Sequence, residues 1–235
     1  QVTLSLDGTD HSHDRHRRLI GSAGESSAAV ILALLPAALR RELRVNMVVS
    51  EDTAASLLSN IEHLRGGGFE AISFHLNVME EWSASGLNIL RKALDGFVRY
   101  CGLLDARAKA GLVDAFAANT RDRGYLGRGH AYDDVILGAD GRYYPCDGLF
   151  SLPYSRIGEW NVGNAYEGVD WRKRARLHRK AEDFIHEALG GKPHLNCPRE
   201  AYFRAVALGR GAEAAVRASF RADEIVRDAR ARLAS

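Results

Sequence analysis

The order of periodicities in the first half of the chain constrains the fold most. Three β-rich apolar runs occur at Val2–Leu6, Leu43–Val49 and Phe69–Leu76. Between and after them lie segments with apolar residues at helical spacing. Residues 25–42 carry Val30, Leu34 and Leu35, with Pro36 expected to kink or restart the helix. Residues 50–65 carry Leu57, Leu58, Ile61 and Leu64, with Ser50 as the expected N-cap and Gly66-Gly-Gly68 as the stop. Residues 83–104 carry Leu87, Leu90, Leu94 and Val98, and a further short helix is expected over 106–118. Strands alternating with helices imply βαβ units and a parallel sheet.

The first strand breaks at Asp7-Gly8 into a charged, histidine-rich stretch, Thr9–Arg17. In α/β sheets and barrels the C-terminal ends of parallel strands are where ligands sit. The chain opens inside a strand, and three strands are few for a free-standing parallel sheet, so it is expected to be the middle of something larger. Ser5 at the strand end offers a hydroxyl, and Arg17 a planar fork suited to a carboxylate. The plainer alternative is a buried strand-end hydroxyl and a solvated helix charge. Gly8 is expected to supply a positive φ. Asp14 is expected to cap a helix containing Arg17. His11, His13 and His16 fall at irregular spacing and make a poor metal motif. Asn46, His75 and Asn77 are polar residues in apolar strands, so they either line a cavity or find partners in the core. Glu80 and Glu81 either bind a cationic substrate group or start the next helix.

The character changes near residue 119, where a polar, glycine-rich stretch reads as a linker. A hairpin is expected from Val135 to Tyr144 with its turn at Asp140-Gly141, followed by a loop-like segment over 147–168. A charged helix is expected over 170–189, ended by Gly190-Gly191, with a helical pair after Asn196-Cys-Pro198. The run Arg172–Lys180 is strongly basic, but Glu182, Asp183 and Glu187 follow closely. Tyr143, Tyr144, Phe150, Tyr154, Trp160, Tyr166 and Trp171 crowd this half and are expected to pack a small core or form a peptide-binding face. The net charge of +2 gives no whole-chain case for nucleic acid. No apolar run is long enough to span a membrane. Cys101, Cys146 and Cys197 are an odd, scattered set rather than a disulfide framework, so a reduced cytoplasmic setting is expected.

Ser5-Leu-Asp-Gly8, with His13-Asp14 and Arg17, resembles the fourth barrel strand and loop of radical S-adenosylmethionine enzymes with a C-terminal SPASM or twitch domain. Val45–Val49 and Phe69–Asn77 are similar to the fifth and sixth strands. Asp140–Cys146, Ile157-Gly158, Gly163-Asn164 and Asn196-Cys-Pro198 resemble, in order, the cysteine-bearing hairpin, the following loop and a later cluster-ligand site of the SPASM segment. The resemblance implies an α/β fold: the C-terminal part of a partial (β/α)6 TIM-type barrel over residues 1–118, then a small α+β SPASM-like extension over 119–235.

It further implies that Ser5, Asp7 and Arg17 hold the cofactor, that Asn46, His75 and Asn77 line its cavity, and that Cys146 and Cys197 ligate an auxiliary cluster. The family's CX3CX2C loop, which binds the catalytic [4Fe–4S] cluster, is absent from this chain, as is the glycine-rich motif of the second strand. Both would lie upstream of Gln1. The activity implied for the whole protein is reductive cleavage of S-adenosylmethionine to a 5′-deoxyadenosyl radical that modifies a peptide or protein. A reductase or flavodoxin-type protein would donate the electron, and the fragment alone is expected to be inactive. The competing reading is a non-catalytic α/β peptide-binding module, a degenerate relative. A hydrolase ranks last, because no G-x-S-x-G elbow is present.

Overall fold

The computed structural model describes residues 2–18, 24–77, 80–119, 135–190, 192 and 198–234. It divides into two units. One comprises residues 1–77, 83–121 and 224–235, and the other residues 78–82 and 122–223. The main division falls close to the change in character at residue 119. The short segment 78–82 and the last turns of the final helix belong with the opposite unit from their sequence neighbours.

In the first unit the order is β1 (Thr3–Ser5), α1 (Asp10–Asp14), α2 (Ser27–Leu34), α3 (Ala37–Arg40), β2 (Arg44–Val49), α4 (Leu57–Gly66), β3 (Ala71–Leu76), α5 (Ala84–Leu103) and α6 (Ala106–Asn119). The strands form one parallel sheet in the order β1-β2-β3, with Ser5 opposite Asn46, Asn46 opposite Ser73 and Val48 opposite His75. Among the described residues the sheet has these three strands and does not close into a barrel. Side chains alternate across a strand. Leu6, Val45, Met47, Val49, Ile72, Phe74 and Leu76 are buried with Leu57, Ile61, Leu64, Leu90, Leu94 and Phe97 of α4 and α5. Phe74, Phe97 and Phe116 pack ring on ring, with centroids 4.7–5.5 Å apart. The opposite parity of the strands carries Ser5, Asn46, Ser73 and His75.

Two expected helix starts differ. Ser50 does not cap α4. Its N–H donates to Thr53 Oγ1 and its carbonyl accepts from Thr53 N, closing a turn. A 3-10 turn over Ala54–Ser56 follows before α4 begins. The acidic pair expected in that first turn is used elsewhere: Glu51 accepts from Ser83 N, and Asp52 pairs with Arg15 and His16. Asp14 does not cap a helix containing Arg17, because α1 ends at Asp14 and Thr9 is its cap. The Asp14 carboxylate instead accepts from the N–H and Oγ of Ser27 at the start of α2. Desolvation raises its pKa, but the bonds from Ser26, Ser27 and Ala28 outweigh this and hold Asp14 below the usual carboxylate range. The break between α2 and α3 falls at Pro36, as its fixed φ and missing N–H require.

The second unit contains β4 (Ile136–Leu137), β5 (Tyr143–Tyr144), α7 (Tyr154–Ile157), β6 (Gly163–Asn164), β7 (Gly168–Val169), α8 (Trp171–Leu189), α9 (Pro198–Ala207) and the start of α10 (Ala212–Ala234). The β4–β5 hairpin turns through Asp140-Gly141, with Gly141 at φ 76°. The segment expected to be loop-like holds two 3-10 turns, α7 and the β6–β7 hairpin. Tyr144, Leu149, Ile157, Ala181, Ile185, Tyr202, Phe203 and Val216 form its core. The helix α8 is capped by Asp170, whose side chain accepts from Lys173 N, and ends at Gly190 in the left-handed conformation. No described helix is long and apolar enough to cross a membrane.

Candidate functional site

The strongest candidate site is the polar face of the parallel sheet and the loop that leaves β1. Ser5, Asn46 and Ser73 stand in one row across the three strands, and His75 lies one row on. Ser5 is exposed; Asn46, His75 and Asn77 are half-buried; Ser73 is buried. Asn46 Oδ1 is 3.3 Å from both Ser73 Oγ and His75 Nδ1. Beyond the row, Asn77 Nδ2 donates to Ser50 Oγ at 3.0 Å. The face is therefore a short ladder of hydrogen-bonding groups rather than an apolar wall.

Asp7 anchors the loop. One carboxylate oxygen accepts from the backbone N–H of Val48 at 2.8 Å, tying the end of β1 to β2. The other accepts from Arg17 Nε at 2.7 Å. The Asp7 side chain is 6% exposed, and that of Arg17 36%. The bond uses only Nε, so the two Nη nitrogens of Arg17 form no hydrogen bond among the described residues and remain able to grip a carboxylate. Asp7 N–H donates to Nδ1 of buried His13 at 3.1 Å. Burial lowers the His13 pKa, Asp7 works against this, and Arg17 adds to it. A neutral imidazole is what accepting that N–H requires. Gly8 has φ 105°, and Asn60 lies where any side chain at Gly8 would go. Asn60 Oδ1 accepts from both N and Oγ1 of Thr9, fixing the start of α1.

The sequence-predicted residues thus fall into two groups. Ser5, Asn46 and His75 share one sheet face, with Asn77 just past the end of β3. Asp7 and Arg17 form a clamp at the C-terminal end of β1. The three histidines do not assemble: His11 is exposed, His13 is buried against Asp7, and His16 is 3.2 Å from Asp52. Glu81 pairs with Arg210 at 3.7 Å, and the next helix begins at Ala84 with Ser83 as its cap. Ser73 and Asn60 went unnoticed in the sequence. Ser73 has the parity of His75 and Asn77, a signal that was present; Asn60 sits in a helix and carries none.

Of the two expected cluster ligands, Cys146 is among the described residues. Cys197 lies outside the described residues. Cys146 is buried, with its Sγ 3.7 Å from Asp147 Oδ1. Burial pushes the Cys101 thiol up to about 11, so it stays protonated. Among the described residues no cysteine belongs to a group of three side chains able to share a metal ion. The described donor set therefore does not fit a [4Fe–4S] cluster, which takes four thiolates.

Behind Cys146 lies a buried polar network. His178 is 3% exposed; its Nε2 is 3.0 Å from the Pro145 carbonyl and its Nδ1 is 3.3 Å from Arg199 Nη1. Since a guanidinium only donates, Nδ1 accepts and the proton sits on Nε2. Arg199 also reaches Glu182 at 3.7 Å. Burial, reinforced by Arg174 and Arg199, lowers the His178 pKa to about 4, against the raising effect of the Pro145 bond. An unfolded histidine titrates near 6.5. Above that pH both states are neutral and the stabilisation is complete. As pH falls from about 6.5 towards about 4, the unfolded chain takes up its proton first, and up to about 3 kcal/mol is lost. The urea midpoint of the second unit is expected to drop across that window, and His178→Gln is expected to flatten the dependence.

The fold is mixed α/β with a three-stranded parallel sheet. Compared with known protein families and with curated protein sequences, the chain matches no family model and no curated protein.

Proposed function

We propose that this chain is the nucleotide-binding part of a radical S-adenosylmethionine enzyme acting on a peptide or protein, a partial barrel with a SPASM-like extension. The observation that carries the reading is the coincidence, at one end of a parallel sheet, of a polar strand face and an arginine held by its Nε alone. Arg17, braced by Asp7, would bind the cofactor carboxylate through its Nη pair. Ser5, with Asn46 beside it, would bond the ribose hydroxyls. His75 and Asn77 would line the cavity and keep bulk water from it. When bound, S-adenosylmethionine supplies, on reductive cleavage, an organic radical able to take hydrogen from a peptide. The protein's part is to hold and orient the cofactor and exclude water, the division of labour usual in cofactor enzymes.

Equilibrium dialysis against labelled S-adenosylmethionine tests this. The chain is expected to bind saturably, and Arg17→Ala to weaken binding about tenfold, the effect of losing one charge-assisted pair. Equal binding by the two proteins would refute the assignment. A non-catalytic peptide-binding module is the second reading, favoured by the lack of any grouped thiols among the described residues. It predicts no S-adenosylmethionine binding by either protein.

A further inference from the structure

The helix α8 carries its charges against its own dipole. Carboxylates stabilise a helix N-terminus and cations its C-terminus. Apart from its N-cap Asp170, α8 has no acidic residue in its first turn, and Arg172, Lys173, Arg176, Arg179 and Lys180 fill its first half. Asp183 and Glu187 come later, towards the end where cations would be favourable. Arg172, Arg176 and Lys180 stand at successive i,i+4 positions, where like charges repel.

Helical spacing puts Arg172, Arg176, Arg179 and Lys180 on one stripe, opposite buried Arg174, His178, Ala181 and Ile185. All four of the stripe are exposed, and none forms an ion pair among the described residues. Trp171, the first residue of the helix, is 51% exposed, and its ring lies 5.7 Å from the guanidinium of Arg174 on the other side of the helix. The β6–β7 hairpin that leads into the helix carries Tyr166 at its tip, 98% exposed. Folding does not account for a cationic stripe that its own helix disfavours. Such departures from local consistency are expected where a surface binds something.

We propose that the exposed cationic face of the first half of α8 docks a short acidic segment of a peptide or protein. From Arg172 to Lys180 the stripe runs about 12 Å at the helical rise. An extended peptide covers that in about four residues. Asp183 and Glu187 then reverse the sign on the same face and end the track. A nucleic acid strand, charged at every phosphate, would run into these carboxylates. An acidic peptide needs its charges only over the cationic stretch and can continue neutral beyond it. The inference rests on the proposed function only in taking that peptide to be the substrate; the docking itself does not involve the sheet site.

The test is fluorescence anisotropy, without S-adenosylmethionine, using two labelled probes. One is a peptide of four consecutive glutamates flanked by glycines, and the other an oligothymidylate of the same charge. The chain is expected to bind the peptide saturably, more tightly than the oligonucleotide, with affinity falling as salt is raised. The triple variant R172Q/R176Q/R179Q is expected to weaken peptide binding about tenfold, as the loss of three exposed pairs would. Its helix should be no less stable by circular dichroism, because repulsion is removed. Arg176→Glu alone should weaken binding in the same direction. Absence of saturable peptide binding, indifference to these variants, or tighter binding of the oligonucleotide would each overturn the proposal. None of these outcomes bears on S-adenosylmethionine binding.

Discussion

Replacing Asp7 with alanine is expected to destabilise the first unit by about 2–4 kcal/mol, since it leaves a half-buried N–H without its acceptor and breaks a partly buried ion pair. The carboxylate is nearly inaccessible and satisfies Val48 N–H at 2.8 Å and Arg17 Nε at 2.7 Å. Removal leaves Val48 N–H with no carboxylate to replace it. Arg17 is one-third exposed and regains water, which keeps the loss at the lower end of what a fully buried pair costs. Asp7→Asn separates the two parts. Its amide oxygen can still accept from Val48, but it presents no charge to Arg17. The asparagine variant is expected to recover roughly half the lost stability in urea unfolding, in line with the difference between neutral and charged hydrogen bonds. It should still lose S-adenosylmethionine affinity, because the guanidinium is no longer braced. Equal stability of Asp7→Ala and the parent chain would show that the clamp is not structural.

The second large effect is expected at Gly8. Its φ of 105° is one that L side chains rarely adopt, and an added Cβ would lie 2.3 Å from Asn60 Cβ. Backbone strain and overpacking each cost about 1–3 kcal/mol, so Gly8→Ala is expected to destabilise the first unit by about 2–6 kcal/mol. Asn60 is 2% exposed and cannot move aside without losing its bonds to Thr9. Truncating it opens space but leaves the φ unchanged. Alanine at 60 would keep the clashing Cβ, so in a double-mutant cycle it is Asn60→Gly that is expected to recover the steric part of the Gly8→Ala penalty and not the backbone part. Simple additivity of the two substitutions would mean that they do not touch.

Much of this architecture was legible because period-2 and period-3.6 patterns are strong over six or more residues. The runs at 43–49 and 69–76 became β2 and β3, and Leu87, Leu90 and Leu94 do lie on the buried side of α5. Single polar positions were visible in the strands for the same reason. What could not be read was set by partners distant in sequence. Asp7 is satisfied by Val48, 41 residues away, and Thr9 by Asn60, 51 residues away. His178 accounts for the Pro145 carbonyl from 33 residues off, with nothing local to announce it. Ser50 looked like a cap because cap and turn share the same residue types; the Thr53 hydroxyl decided for the turn. Similarly, Asp14 had the chemistry of a cap, but the chain brought the start of α2 to it instead.

The most direct measurement is a two-dimensional amide spectrum of the chain titrated with S-adenosylmethionine to about 5 mM, a range that captures even millimolar binding. The polar face and the Asp7 clamp should respond together, with shifts at Ser5, Asn46, His75 and the Arg17 Nε–H and none of comparable size in the α8–α9 core. Shifts elsewhere with this face silent, or no shifts at that concentration, would contradict the assignment of the sheet face as a sulfonium-nucleotide site.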